Sequence, residues 1–324
     1  MRISKKNEVY LVLDDLDPST SQELTEFFTF EVPGAKFMPM YRNRMWDGKI
    51  RLFDMMTKQL YCGLYSYLEE FCKERNYTIE RNFKAYKEDP NMDLIEPGLP
   101  LTANKADIIP RPYQKTALKH SLRARKCLLL SPTASGKSLI IYLAIRNFLR
   151  KNEYSFLADK ILIIVPTTSL VEQMYTDFED YSSKDPSFDV QSDCHRIYSG
   201  KEKINIRQRI VISTWQSIHK LPEEWFVDFG MVIGDEAHNF KAKSLTSIME
   251  KCINAEYRIG TTGTLDGTQT HRLVLEGLFG PVYKVTTTKE LMDSKNLAQM
   301  DITVLLLKYK DEYCQVVSKI TYQE

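Results

Sequence analysis

The sequence predicts an α/β fold, a central parallel sheet with crossover helices, preceded by a small α+β unit. Three observations carry this. After residue 100, compact apolar runs recur at intervals long enough to hold a helix between them, as parallel strands require. The first run leads directly into a loop with phosphate-binding character and then a helical pattern. Before residue 100 the strand-like runs are shorter and alternate with two helical ones.

In chain order, Val9 to Leu13 and Lys49 to Phe53 read as strands, and Ser21 to Phe28 and Tyr65 to Arg75 as helices. Between Tyr86 and Pro112 the composition shifts to Asp89-Pro90-Asn91 and Glu96-Pro97-Gly98-Leu99-Pro100, which break regular structure and predict a linker, with a domain boundary near residue 100. Beyond it come Cys127 to Leu130, Ile161 to Val165, Ile210 to Ser213, Met231 to Ile233 and Arg258 to Gly260, with helical patterns between several of them. Right-handed crossovers would join these into one sheet.

The chain of 324 residues is 43% hydrophobic and 27% charged, enough to bury two or three cores rather than remain disordered. Lys plus Arg number 44 against 43 acidic residues, so any nucleic-acid surface must be local. The cysteines 62, 72, 127, 194, 252 and 314 lack the close pairs of a zinc or redox motif and read as reduced and mostly buried. No apolar run approaches a bilayer's thickness and the first residues are not signal-like, so a cytoplasmic protein is expected.

Ser131-Pro132-Thr133-Ala134-Ser135-Gly136-Lys137-Ser138 lies between the apolar Leu128 to Leu130 and the helical Leu139 to Leu149. In that context backbone N–H groups can surround phosphate oxygens, Lys137 can add charge at the β and γ phosphates, and Ser138 can ligate Mg²⁺. Ser131 stands where the generic pattern begins with Gly, and the octapeptide alone also suits an ordinary Ser/Thr-rich helix cap. Further on, Met231-Val232-Ile233-Gly234 runs into Asp235-Glu236-Ala237-His238, two carboxylates at the end of a buried strand, where sheet ligands sit. Asp235 would hold Mg²⁺ and Glu236 would position and deprotonate the attacking water. By itself the tetrapeptide is also a common solvated turn.

These two segments, in this order, resemble motifs I and II of superfamily 2 helicases in their DEAH-box form, although Ala134 stands where helicases usually have Gly. Arg111-Pro112-Tyr113-Gln114 resembles the Q-motif, which implies that Gln114 reads adenine with Arg111 beside it. Val165-Pro166-Thr167-Thr168-Ser169-Leu170-Val171-Glu172-Gln173 resembles motif Ia, and Ile212-Ser213-Thr214-Trp215-Gln216 a second strand-end segment. The resemblance implies backbone contacts to nucleic acid by Pro166, Thr167, Thr214 and Gln216. Thr262-Gly263-Thr264 resembles motif III, which with His238 couples hydrolysis to strand handling. The implied fold is a RecA-like P-loop NTPase domain over residues 101–287, binding ATP and Mg²⁺.

Tyr41-Arg42-Asn43-Arg44-Met45-Trp46-Asp47-Gly48-Lys49-Ile50-Arg51-Leu52-Phe53-Asp54 is similar to the N-terminal domain of the UvsW-type recombination helicases of T-even-like phages. The resemblance implies an ATP-driven motor on forked or recombination intermediates in the host cytoplasm, with forked, branched or single-stranded DNA as partner and RNA left open as an alternative. The alternatives are a duplex-translocating restriction subunit and a non-catalytic binder of branched DNA. Arg42, Arg44 and Arg51 can meet phosphates and Trp46 can stack on bases, but a solvated basic strand with Trp46 and Phe53 in the core and Asp47-Gly48 as a hairpin turn fits as well, and Trp46 leans to the core. Lys119, His120, Arg123, Arg125 and Lys126 read as a solvated helix face. His195, His219 and His271 have no metal-ligand spacing. Motifs IV to VI are missing, so a second motor domain is expected from elsewhere, Val285 to Leu307 reads as an exit strand and linker, and the chain alone should hydrolyse ATP slowly.

Overall fold

In the computed structural model, the described residues are 1–83, 98–151, 158–204, 206–265, 269–298 and 303. Seven parallel strands form the main sheet, in the spatial order Cys194–Ile197, Ile210–Thr214, Lys160–Val165, Phe229–Asp235, Tyr257–Thr262, Lys126–Leu130, Val282–Lys284. The central strands are buried throughout, apart from the partly exposed Lys160 that opens its strand, as they must be with helices on both faces. Helix Lys137–Lys151 is buried continuously from Leu139 to Phe148, so it is apolar around most of its circumference rather than along a stripe.

The smaller sheet has the order Phe53–Asp54, Gln59–Tyr61, Tyr10–Asp14, Arg2–Lys5, Glu80–Arg81; its last pair is parallel and the others antiparallel. Helices Pro18–Phe27 and Tyr65–Glu74 accompany it, the first capped by the Asp17 carboxylate accepting the Thr20 N–H at 2.9 Å. Asp47-Gly48 is not the tip of a tight hairpin. Strands Thr29–Glu31 and Lys49–Arg51 pair antiparallel, but residues 32–48 form a long excursion between them with two short helical turns, Ala35–Phe37 and Pro39–Arg42. Gly48 closes it at φ +79°, where a Cβ would meet Ala35 and the Tyr41 ring at 3.0 and 3.1 Å.

Residues 1–288 form one compact unit, and the two sheets share a continuous apolar cluster running from Ile3 and Phe71 to Leu128 and Phe279. A polar seam also joins them. The Glu8 carboxylate pairs with the Lys126 ammonium at 2.7 Å, and the Glu8 N–H donates to the Ile253 carbonyl at 2.9 Å. Tyr10 and Tyr61 donate to one Glu250 oxygen at 2.9 and 2.6 Å, and Tyr67 donates to Glu276. Gly63 lies so close that a Cβ would stand 1.9 Å from the Glu276 carbonyl oxygen.

Lys126 corrects the reading of residues 119–126 as one solvated face. The helix Pro112–Ala124 ends in a left-handed Arg125, which turns Lys126 into the first position of a strand with only 4% of its side chain exposed. His120 stacks on Tyr283 with ring centroids 3.9 Å apart. The exit strand is Val282–Lys284, ahead of the predicted Val285; residues 299–302 and 304–307, like residues 86–97 of the linker predicted between Tyr86 and Pro112, lie outside the described residues, and the rest of that linker carries a short antiparallel pair, Thr102–Ala103 with Ala106–Asp107. Cysteines 62, 72, 127, 194 and 252 are buried thiols; Cys314 lies outside the described residues. Among the described residues no helix is long and apolar enough to cross a membrane, and no cluster suits a metal ion.

Candidate active site

Five of the six motif segments lie at the carboxyl ends of parallel strands, because each follows directly on one: Ser131 after Leu130, Pro166 after Val165, Trp215 after Thr214, Glu236 after Asp235 and Gly263 after Thr262; the Q-like segment instead opens helix Pro112–Ala124. Register brings three together, with Leu130 opposite Thr262 and Asp235 opposite Thr261. The Ser131 N–H donates to the Thr262 carbonyl at 2.8 Å, which ties the start of the phosphate loop to the third motif.

Within the loop, Ala134 and Gly136 are both left-handed, at φ 65° and 77°, a geometry that turns successive backbone N–H groups toward one point. The hydroxyls of Ser131 and Ser135 lie 2.6 Å apart, and Ser135 donates to the Pro132 carbonyl at 2.7 Å, so short side chains hold the turn from inside. Pro132, Thr133 and Ala134 are at least partly exposed at its rim. Gly136 has no room for a side chain: a Cβ would stand 2.3 Å from Gln114 Nε2. The cradle fits a chain of phosphates, since bare backbone, one lysine and one hydroxyl meet at a helix N-terminus.

Gln114 sits beneath this loop. Its amide donates to the Ser135 carbonyl at 2.9 Å and its Oε1 accepts the Arg111 N–H at 2.8 Å, which caps the helix Pro112–Ala124. Tyr113, on which no role was placed, donates to the same Ser135 carbonyl at 3.0 Å and receives a bond from Arg111 at 2.9 Å. The Q-like segment therefore braces the loop in this structure.

Lys137 Nζ lies 3.4 Å from Glu236 Oε1, joining motifs I and II directly. Glu236 is left-handed at φ 49°, an uncommon conformation for a non-glycine residue, and it turns the chain out of the strand. Asp235 is buried and accepts from Thr261 Oγ1 at 2.7 Å; burial raises its pKa above the ordinary carboxylate value despite that bond. His238 Nδ1 lies 3.0 Å from Thr262 Oγ1 and 3.3 Å from Glu236 Oε2. Since the Thr262 hydroxyl donates to the Thr264 carbonyl at 2.9 Å, the proton between His238 and Thr262 belongs to His238 Nδ1. Ser138 Oγ lies 2.8 Å from the Tyr181 hydroxyl and is also hydrogen-bonded to Asp177, whose pKa burial raises. Neither the Asp177 nor the Tyr181 contact has a signal in the sequence, because both come from a helix packed across from the loop.

On the outer segments, Thr167 is exposed and caps helix Thr168–Ser182 through a 3.3 Å bond from the Leu170 N–H, beside a part-exposed Pro166. Gln216 is exposed, but the Thr214 hydroxyl is buried and turned onto Ser217 at 3.0 Å. In the small sheet's excursion Arg42 and Arg44 are exposed, and Arg51 forms an ion pair with Asp47. Trp46 corrects the lean toward the core. It belongs to neither apolar cluster, is half-buried, and its indole N–H donates to the Lys49 carbonyl at 2.8 Å, whereas Phe53 is indeed core.

Residues 107–267 match the family described as Type III restriction enzyme, res subunit, and residues 8–82 the family described as DNA helicase UvsW, N-terminal. The chain is similar to the ATP-dependent DNA helicase uvsW of Enterobacteria phage T4, at 35% identity over 317 residues, covering 96% of this chain and 61% of that relative. A crystal structure of the UvsW helicase from bacteriophage T4 superposes with TM-score 0.76 at 33% identity, covering 87% of this chain and 99% of that one. The DNA 3'-5' translocase XPB2 of Sulfurisphaera tokodaii is 25% identical over 238 residues, covering 74% of this chain and 48% of that protein. The chain thus spans about half to three-fifths of the length of these two curated relatives.

Proposed function

We propose, since this chain belongs to the family of the phage DNA helicase UvsW, that it is the ATP-binding half of a DNA motor acting on forked and recombination intermediates. The observation that carries the reading is the convergence of Lys137, Glu236, His238 and Thr262 at the carboxyl edge of one parallel sheet, within 3.4 Å links of one another.

Lys137 and the backbone N–H groups around Gly136 hold the β and γ phosphates. Ser138 and Asp235 are the groups that would hold Mg²⁺, which neutralises phosphate charge when bound. Glu236 orients the attacking water and takes its proton, and Lys137 must leave Glu236 for phosphate before it can do so. His238, Thr262 and Thr264 link this base to the strand ends. Arg111 and Gln114 position the loop and the adenine side of the site. Pro166, Thr167 and Gln216 meet the DNA backbone, and Thr214 supports that turn from within.

In this reading residues 1–100 are a small DNA-facing domain with its linker, 101–287 the first motor domain, and 288–324 the path toward a second RecA-like domain, in the same chain or another. That domain would supply the charge that completes transition-state stabilisation. The work is done in the cytoplasm of an infected bacterium. The res-subunit match favours one rival, a duplex translocase of a restriction system, with the same ATP chemistry.

ATP turnover with and without forked DNA tests the proposal on a chain extended through a second motor domain. Glu236→Gln should keep Mg·ATP binding and lose about two orders of magnitude or more in hydrolysis; Lys137→Ala should lose most nucleotide affinity while remaining folded. Wild-type turnover in the first, or unchanged affinity in the second, refutes the assignment.

A further inference from the structure

The excursion 32–48 carries a surface that the motor site does not use. Phe37, Met40 and Met45 are 77%, 55% and 73% exposed, with Met38 and Tyr41 beside them. So many large apolar side chains on one short segment mark a binding surface rather than chance exposure. Next to them is an open depression of about 680 Å³ lined by Lys36, Tyr41, Arg42, Arg44, Met45, Trp46 and Asp47. Its charge is one-sided. Lys36, Arg42 and Arg44 make no ion pair with another described residue, and the single acid, Asp47, is already bound to Arg51.

From this juxtaposition we infer that the excursion is a binding site for an unpaired DNA strand: Lys36, Arg42 and Arg44 meet the phosphates, and the Phe37 ring and the exposed face of Trp46 receive bases. The inference rests on the reading that the chain works on DNA and adds the form of DNA this domain takes. Paired bases keep their faces inside the stack, so aromatic rings on a protein surface can receive only bases that are already unpaired. Trp46 is fixed for this by the bond from its indole to the Lys49 carbonyl, which leaves the ring partly exposed along the depression. Arg51 is a brace on Asp47 and not a phosphate contact. The left-handed Arg44 and Gly48 set the shape of the excursion, and Gly48 lets the Tyr41 ring lie against the backbone.

The test measures binding of a labelled oligo-dT strand and of a blunt duplex of equal length to the 324-residue chain, by anisotropy at several salt concentrations. Tryptophan emission is followed in parallel. Wild type should prefer the single strand, which should quench its emission, and Trp46→Phe should abolish most of that quenching. Phe37→Ala should weaken single-strand binding by about 5- to 150-fold with an unchanged melting temperature, since the ring is mostly exposed. Lys36→Ala, Arg42→Ala and Arg44→Ala together should reduce the slope of log affinity against log salt by about two. Wild-type binding and slope in these variants would overturn the site while leaving the motor's DNA reading intact. A folded wild type that binds neither strand nor duplex would overturn the DNA reading itself. Unchanged DNA binding with loss of self-association or of acidic-peptide binding would reassign the surface to protein contacts and overturn the inference.

Discussion

Glu8→Gln removes the carboxylate that Lys126 shares with the more exposed Lys5, and leaves the buried Lys126 ammonium without its charge partner. In the folded chain Lys126 is 4% exposed, with the Glu8 carboxylate at 2.7 Å and the Glu256 carbonyl at 3.2 Å among its partners. Removing one partner of a buried pair typically costs about 3–5 kcal/mol. Here a ceiling exists, because the lysine can escape by losing its proton. From an ordinary pKa near 10.4, neutralisation at pH 7 costs about 4.6 kcal/mol, so the loss should fall between about 3 and 4.6 kcal/mol. Burial already lowers the Lys126 pKa, which points the same way. Once the folded variant holds Lys126 neutral, the unfolded chain binds one more proton, and stability rises with pH by up to about 1.4 kcal/mol per unit until the unfolded lysine titrates. Urea midpoints of wild type and variant at pH 7 and pH 9 should therefore show a deficit that shrinks by up to about 2.7 kcal/mol. A deficit below 1 kcal/mol, or one identical at both pH values, would show that Lys126 is solvated or re-paired.

Gly136→Ala puts a Cβ 2.3 Å from Gln114 Nε2 at a φ of +77°, so the loop should open, fluorescent ATP affinity fall by about tenfold or more, and the melting temperature drop; full affinity would mean the loop does not hold phosphate in this shape. Gly63→Ala meets the Glu276 carbonyl at 1.9 Å, a backbone atom with no flexible end, and should cost about 1–3 kcal/mol in urea unfolding; an unchanged midpoint would place the small domain elsewhere. Asp185→Asn breaks a buried pair with Arg146 and should cost about 3 kcal/mol at pH 7. Burial pushes the Asp185 pKa up, but its bonds from Ser187 and the Arg146 charge outweigh that and hold it below the ordinary value. Its contribution is then present above about pH 4 and fades as the carboxylate protonates. The gap between wild type and variant should narrow as midpoints are followed from pH 7 down to pH 3; a constant gap would refute the ion pair.

The domain of the seven-stranded sheet is legible in the sequence where the residues of the candidate site are contiguous. The phosphate loop, the acidic strand end and the third motif are each a few residues long, and their loops sit where parallel strands end. Strands were read short because their termini are polar: Lys126, Lys160 and Asp235 are ladder residues that look like loop. The edge strand Cys194–Ile197 was missed because His195 and Arg196, half-exposed at the sheet's border, break the apolar run. Lys126 was misjudged because one residue, Arg125, leaves the helix in a left-handed conformation and reverses which side of the chain faces water. The Thr261 bond to Asp235 follows from register between two strands, and the Tyr181 contact from helix packing; neither leaves a mark in linear order.

The seam between the two sheets is directional as well as apolar: Glu8–Lys126, the paired phenols on Glu250 and the backbone contact at Gly63 each depend on distance and angle, so together they fix how the small sheet is oriented. Strand Lys126–Leu130 stands between two tasks, since its first residue holds the small sheet's Glu8 and its last leads into the phosphate loop.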